Sequence, residues 1–284
     1  MGHKLADIHR IQSIFITAYL LELIGATVVT SLGWAACRIL QIDSLPSAPL
    51  WFAGYLLVYN LDRLYPDPAD LINIPIRSHK AGQLRATRST LAFLSAAVLL
   101  VWSLLRGRWW LIFALLFAAA ILQFYSRPVR GMGFRLKDLP YVKSFLPPAV
   151  IAGILVVWPC VENGRSFRLK ECLVFLWCLL LLTINSLVFD YRDIKGDSVA
   201  GTRTIPVRLG ARNTIYLLIG LAAALTGVSA WLVARWFVNP LMPVTLAGVS
   251  AGLLLALRRR IRPITVSVLA DLLLVFPAVV EIFA

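Results

Sequence analysis

The stretch DYRDIKGDSVAGTRTIPVRLG, residues 190–210, sets three carboxylates, Asp190, Asp193 and Asp197, directly after the nearly uncharged run ECLVFLWCLLLLTINSLVF. On a helix these acids stand at i, i+3 and i+7 along one face, where like charges repel unless cations neutralise them. Carboxylates spaced by whole turns suit a hard, oxygen-seeking ion such as Mg²⁺, which keeps waters and shares substrate phosphates. Gly196 and Gly201 loosen the backbone that follows. The alternative is a solvated loop in which the acids pair with Arg192, Lys195 and Arg203.

A second acidic segment, YNLDRLYPDPADLINIPIR at 59–77, carries Asp62, Asp67 and Asp70. Asp62 and Asp70 lie close to two helical turns apart. Pro66 stands where a middle acid would complete a stripe, and with Pro68 it breaks or kinks the helix. Asp67 either swings into the site or serves as a turn residue, and Asn60 either faces the cavity or packs within its helix. Facing each other, the two clusters would hold one or two divalent ions. Arg77, Lys137, Lys143, Lys195 and Arg203 would then bind a diphosphate, which needs metal and cationic neutralisation together. With an apolar cavity open to lipid for a long tail, the combination specifies a polyprenyl diphosphate better than a soluble nucleotide. Neither a Gly-rich phosphate loop nor a dinucleotide fingerprint occurs in the sequence.

The elements that must position these residues are apolar helices. The chain of 284 residues is 60% hydrophobic with a mean hydropathy of +0.80, where a soluble domain would be roughly 45–50% apolar. Apolar runs of about 18 residues or more recur along it. They predict an all-α membrane protein with nine transmembrane helices, at 13–38, 48–65, 89–106, 109–126, 141–161, 172–190, 213–235, 238–257 and 264–283, bundled around a central lipid-facing cavity. The second is the weakest, because Asn60, Asp62 and Arg63 lie at its end. Residues 11–37 form too long an apolar region for a secretory signal.

The net charge of +14 does not point to nucleic acid, because of how it is distributed. Of the 28 Lys and Arg, 21 fall on the side shared by the N-terminus and the acidic segments and 7 on the other. That bias is the positive-inside pattern of a cytoplasmic face, with RRRIR at 258–262 as an anchor. Half of the 14 acids gather on the same face, Asp138 among them. Trp109, Trp110, Trp158 and Trp236 form an interfacial belt opposite. Cys37, Cys160, Cys172 and Cys178 have no metal-like spacing and read as apolar packing. Glu22 and Asp271 lie deep in the first and last spans, where an ionisable group is a functional candidate or has a partner on another helix. His79 reads as a surface residue. Acidic clusters four helices apart suggest four-helix halves, 11–126 and 141–257, plus a ninth helix at 264–283, within a single domain.

Residues 190–210 resemble the second aspartate-rich motif of the UbiA superfamily of intramembrane prenyltransferases, with Asp190, Asp193, Asp197, Gly201, Thr204, Pro206 and Gly210 in the expected places. YSRPVRGMGFRLKDLPYVKS at 125–144 is similar to the family's segment between spans four and five. The first motif departs from the pattern. Aligning on Asp70, Asn73, Pro75 and Arg77 puts Asp62 at the family's usual Asn, Arg63 at the following Asp and Pro66 at the middle Asp.

The resemblance implies a nine-helix bundle capped by the motif loops on the cytoplasmic side of a bacterial or archaeal inner or plasma membrane. It implies Mg²⁺-dependent transfer of a polyprenyl group from its diphosphate to an aromatic or other lipophilic acceptor. The ligands would come from Asp62, Asp67, Asp70, Asp190, Asp193 and Asp197. Tyr125 would line the cavity and stabilise the cation or acceptor, or else sit at the interface. Two other readings stay open: a membrane terpene cyclase on the same scaffold, which the altered first motif favours, and a non-catalytic lipid-binding or transport protein. Acids gathered at one face and a complete second motif weigh against the last.

Overall fold

The computed structural model describes residues 14–65, 67–109, 121, 124–125, 127, 135–236, 238–258 and 263–282, and no strand occurs among them. Residues 14–20 are helical, and the chain breaks at Leu21 and Glu22, where Glu22 takes a left-handed backbone (φ 64°) before helix α1 (Leu23–Leu40). Helix α2 (Ala48–Asp62) follows, with a proline in its first turn, where the missing N–H would have no intrahelical partner anyway. Prolines also open the short helices α3 (Pro68–Asn73) and α4 (Pro75–His79), ahead of α5 (Ala81–Leu105).

Helix α6 (Val142–Ala152) carries Pro147 and Pro148 and runs through a π-helical turn, Gly153–Val157, into α7 (Trp158–Glu162). Such a turn leaves carbonyls poorly served by the helix, and the Trp51 indole of α2 donates to that of Ile154 (3.1 Å). The remaining helices are α8 (Leu169–Arg192), α9 (Ile194–Val199), α10 (Ile205–Trp236, kinked at Gly210), α11 (Leu241–Arg258) and α12 (Pro263–Ile282).

Seven helices among the described residues are long and apolar enough to cross a membrane, with α6, the π-turn and α7 counting as one. They correspond to seven of the nine expected spans. The second expected span is realised as α2, which stops after 15 residues at Asp62. Most of the fourth, 109–126, including Trp110, lies outside the described residues, as does the anchor stretch 259–262.

Helix α8 is the hub, packed against α1, α6, α10 and α12, while α2 bridges α1 and α5. Trp177, Cys178, Leu181 and Leu187 of α8 are fully buried, and the Trp177 indole donates to Ser229 of α10 (3.1 Å). Between apolar helices in lipid there is no hydrophobic drive, so close contact and such cross-helix hydrogen bonds hold the bundle. Cys37, Cys160 and Cys178 are buried free thiols, and Cys172 is exposed. A cavity of about 380 Å³ opens at the end of the bundle remote from Asp62 and Asp190, between Cys37, Arg38, Trp236, Asn239 and Glu281.

One close helix contact is at Gly33 of α1, where a Cβ would stand 2.8 Å from the Trp51 ring and 2.9 Å from Leu155. Gly33→Val forces these walls apart and should cost about 1–3 kcal/mol. The measurement is the unfolding midpoint of purified protein in detergent, and an unchanged midpoint would contradict this packing.

Candidate active site

Asp190 lies on the last turn of α8, Asp193 at the break between α8 and α9, and Asp197 inside α9. The three acids therefore do not share one continuous helix, because α8 ends at Arg192. The break divides their partners. Lys143, at the start of α6, brings its ammonium 2.7 Å from both oxygens of Asp197 and 3.6 Å from Asp190. Ser144 donates to Asp190 (2.6 Å), and its hydroxyl accepts from the Ile205 N–H (3.4 Å), tying α6, α8 and α10 together. Asp193 turns the other way, onto Arg192, whose Nε and one Nη each lie 2.7 Å from a carboxylate oxygen. Arg192 is held in turn by Ser267 of α12 (2.5 Å). Burial pushes the Asp197 carboxyl up to about 6, against the pull of Lys143.

The first cluster is built around arginine. The Arg63 guanidinium lies 3.2 Å from Glu22, 3.5 Å from Asp62 and 3.9 Å from Asp70. Arg77, buried, reaches Asp70 (3.4 Å) and Glu22 (3.9 Å) and has the Tyr19 ring beneath it. Asp67 stands apart from these acids in its pairing. It caps α3 by accepting from the Ala69 N–H (3.1 Å), and it receives Lys137 (2.6 Å) and Arg135 (3.4 Å). Asn60 is buried, and its amide nitrogen donates to the carbonyls of Leu21 (3.1 Å), at the chain break, and Leu56 (3.0 Å), in its own helix.

The two segments meet directly. Asn73, ending α3, accepts from the Gly196 N–H (3.0 Å), and a Cβ on Gly196 would stand 2.4 Å from the Asn73 amide. A 3-10 turn at Leu136–Asp138 closes the same end, with Asp138 bound to Arg135 (2.8 Å) and accepting from Thr202 (3.3 Å). Lys195 and Arg203 are exposed there and enter no ion pair among the described residues. Tyr125 lies within electrostatic reach of Asp190 and Asp62. His79 binds the Pro75 carbonyl of its own turn (2.7 Å). Asp271 accepts from Asn185 of α8 (3.4 Å).

Three residues, Arg63, Arg88 and Ser144, escape a reading of the sequence. Arg63 reads there as a departure from a motif, yet it organises three carboxylates. Arg88, fully buried, donates to the carbonyls of Arg63 (3.0 Å) and Leu20 (3.3 Å). Its signal was a lone arginine at the head of an apolar run. Ser144 carried no signal, since a hydroxyl at a helix end is ordinary, whereas Arg192 was named as an alternative partner of the acids and does pair with Asp193.

Among the described residues no three His, Cys, Asp or Glu side chains converge as a ready-made metal cage. The fit differs between the clusters. Asp190 and Asp197 offer hard oxygens to a single cation position, now marked by the Lys143 ammonium, which suits a divalent ion. Glu22, Asp62 and Asp70 are committed to guanidinium groups and Asp67 to Lys137, which does not suit one.

Fold and site together define a multi-pass integral membrane protein with charge-paired carboxylates at one end of its helices. Residues 81–267 match the UbiA prenyltransferase family, and the chain belongs to it. A stretch of 57 residues is 40% identical to digeranylgeranylglyceryl phosphate synthase of Methanosarcina mazei (strain ATCC BAA-159 / DSM 3647 / Goe1 / Go1 / JCM 11833 / OCM 88). That stretch spans 20% of this chain and 18% of the relative. No solved structure matches the chain.

Burial raises the Asp67 carboxyl, but Lys137, the Ala69 N–H and Arg135 outweigh it and bring it down to about 2 from 3.8. A folded-state value below the unfolded one stabilises the fold above the unfolded value, and the gain is lost as pH falls toward the folded one. Asp67→Asn should therefore cost about 2 kcal/mol at neutral pH. The difference from wild type should shrink between about pH 4 and 2. Unfolding curves of both proteins across that range check it, and a pH-independent difference would refute the pairing.

Proposed function

We propose that this protein transfers a polyprenyl group from its diphosphate to a lipophilic acceptor at the cytoplasmic membrane surface. The observation that carries the reading is the Lys143 ammonium held between Asp190 and Asp197 at the end of the central helix. Membership of the UbiA prenyltransferase family supports it.

Asp190 and Asp197 would hold a divalent ion, Mg²⁺ by choice of hard oxygen donors, and Asp193 would join them only by leaving Arg192. When bound, the ion supplies positive charge to the diphosphate oxygens as the allylic C–O bond breaks. The Lys143 ammonium, beside Asp190 and Asp197, would contribute positive charge to the same oxygens. The exposed Lys195 and Arg203 add charge at the mouth. Electrons of the broken bond stay on the diphosphate, and the acceptor's nucleophile takes the allylic carbon and loses its proton. The 135–138 turn and the contact between Asn73 and Gly196 close the end of the bundle and keep water from the cation. The fourth span, 109–126, would complete a nine-helix wall around the tail. The acceptor is an aromatic ring or a polar-headed lipid, and the name of the Methanosarcina relative puts glyceryl phosphates in the panel to be tried.

The test is diphosphate release from geranyl, farnesyl and geranylgeranyl diphosphates by purified protein, with Mg²⁺ or EDTA, and with or without an acceptor panel. Release should require Mg²⁺ and an acceptor, and Asp197→Asn should lower kcat by about 10²-fold or more. Release without acceptor, giving a cyclic product, would replace transfer with cyclisation. No release in any combination would remove the enzymatic reading.

A further inference from the structure

The first acidic cluster holds an unusual charge balance for a face proposed to bind metal and diphosphate. Glu22, Asp62 and Asp70 come from three separate stretches, and Arg63 touches all three. Arg77 adds a second guanidinium against Asp70 and Glu22. In these ion pairs three carboxylates share two guanidinium groups.

We infer that Arg63 is a built-in cation that fills the first acidic cluster, so that this cluster takes up no divalent ion. The fixed guanidinium there supplies positive charge where an ion would otherwise stand. A guanidinium keeps its charge at any pH the fold survives, so the position cannot be vacated by titration. Mg²⁺-like ions give up hydration water reluctantly, and carboxylates already shared among guanidinium groups leave little field to compensate them.

The chain secures this arrangement from behind. Arg88 binds the backbone carbonyls of Arg63 (3.0 Å) and Leu20 (3.3 Å), and Asn60 binds that of Leu21 (3.1 Å). These bonds pin the two segments that deliver Arg63 and Glu22, the latter in a left-handed conformation that a glutamate rarely adopts. Ser144 likewise pins the start of α6, but Lys143 itself reaches its carboxylates with an ammonium on a flexible four-carbon stem. The two clusters therefore differ in kind: one carries a permanent cation and the other an exchangeable one. The inference rests on the prenyltransferase reading for the purpose of the charge, while the pairing itself stands without it.

Mn²⁺ binding to the full chain in detergent, counted by the loss of the free-ion electron paramagnetic resonance signal, tests it without turnover. Arg63→Gln should bind one more Mn²⁺ per chain than wild type, and adding Asp62→Asn should abolish that extra site. In the wild-type background Asp62→Asn and Asp70→Asn should leave the count unchanged, which tests the inference even if Arg63→Gln does not fold. An unchanged count in folded Arg63→Gln overturns the inference, as does a lower count in either single Asp variant. Should wild type bind none and Arg63→Gln bind one, the inference holds, and the metal role proposed for Asp190 and Asp197 falls instead.

Discussion

A charged carboxylate beside lipid is costly unless a cation or hydrogen-bond donor meets it, and here most of the ion pairs cross between elements. Glu22 follows the first helical stretch, and its partners Arg63 and Arg77 end α2 and sit in α4. Asp190 and Asp197 end α8 and occupy α9, and their partner Lys143 begins α6. Breaking a buried pair by moving one helix would leave an uncompensated charge, at a cost of about 3–5 kcal/mol. The ion pairs thus fix how the helix ends converge, even though apolar packing along the bundle could tolerate other alignments. The bundle is held along its length by contacts such as Gly33 on Trp51 and registered at one end by charge.

That division of labour has a chemical side. Guanidinium groups, planar and permanently charged, hold Glu22, Asp62 and Asp70 near α2 to α4, and Arg192 holds Asp193 at the end of α8. The lysine pair sits at the end of α8, where the chemistry proposed for the chain would need a cation able to change partners.

Much of this was readable in the sequence, and the rest was not for definable reasons. Apolar runs announce themselves by length, so seven spans agree with their helices, and α2 is short where Asn60, Asp62 and Arg63 made its end polar. The aspartates were legible as a cluster, but their shared face was not. Spacing alone assumes a continuous helix, and α8 stops at Arg192. Arg63 was visible only as an exception, since its partner Glu22 lies 41 residues away and is delivered by a chain break that propensity does not foretell. The choice of Lys137 by Asp67, across 70 residues, is likewise a product of tertiary structure.

The fit of Asn73 against Gly196 has a consequence for inheritance. The glycine has no room for even a methyl group, because the amide that receives its N–H occupies that space. A larger residue at 196 becomes viable only if 73 shrinks, and a smaller residue at 73 surrenders the hydrogen bond unless another acceptor replaces it. Across descendants of this chain the two sites should drift together, as one unit of selection written in two distant places.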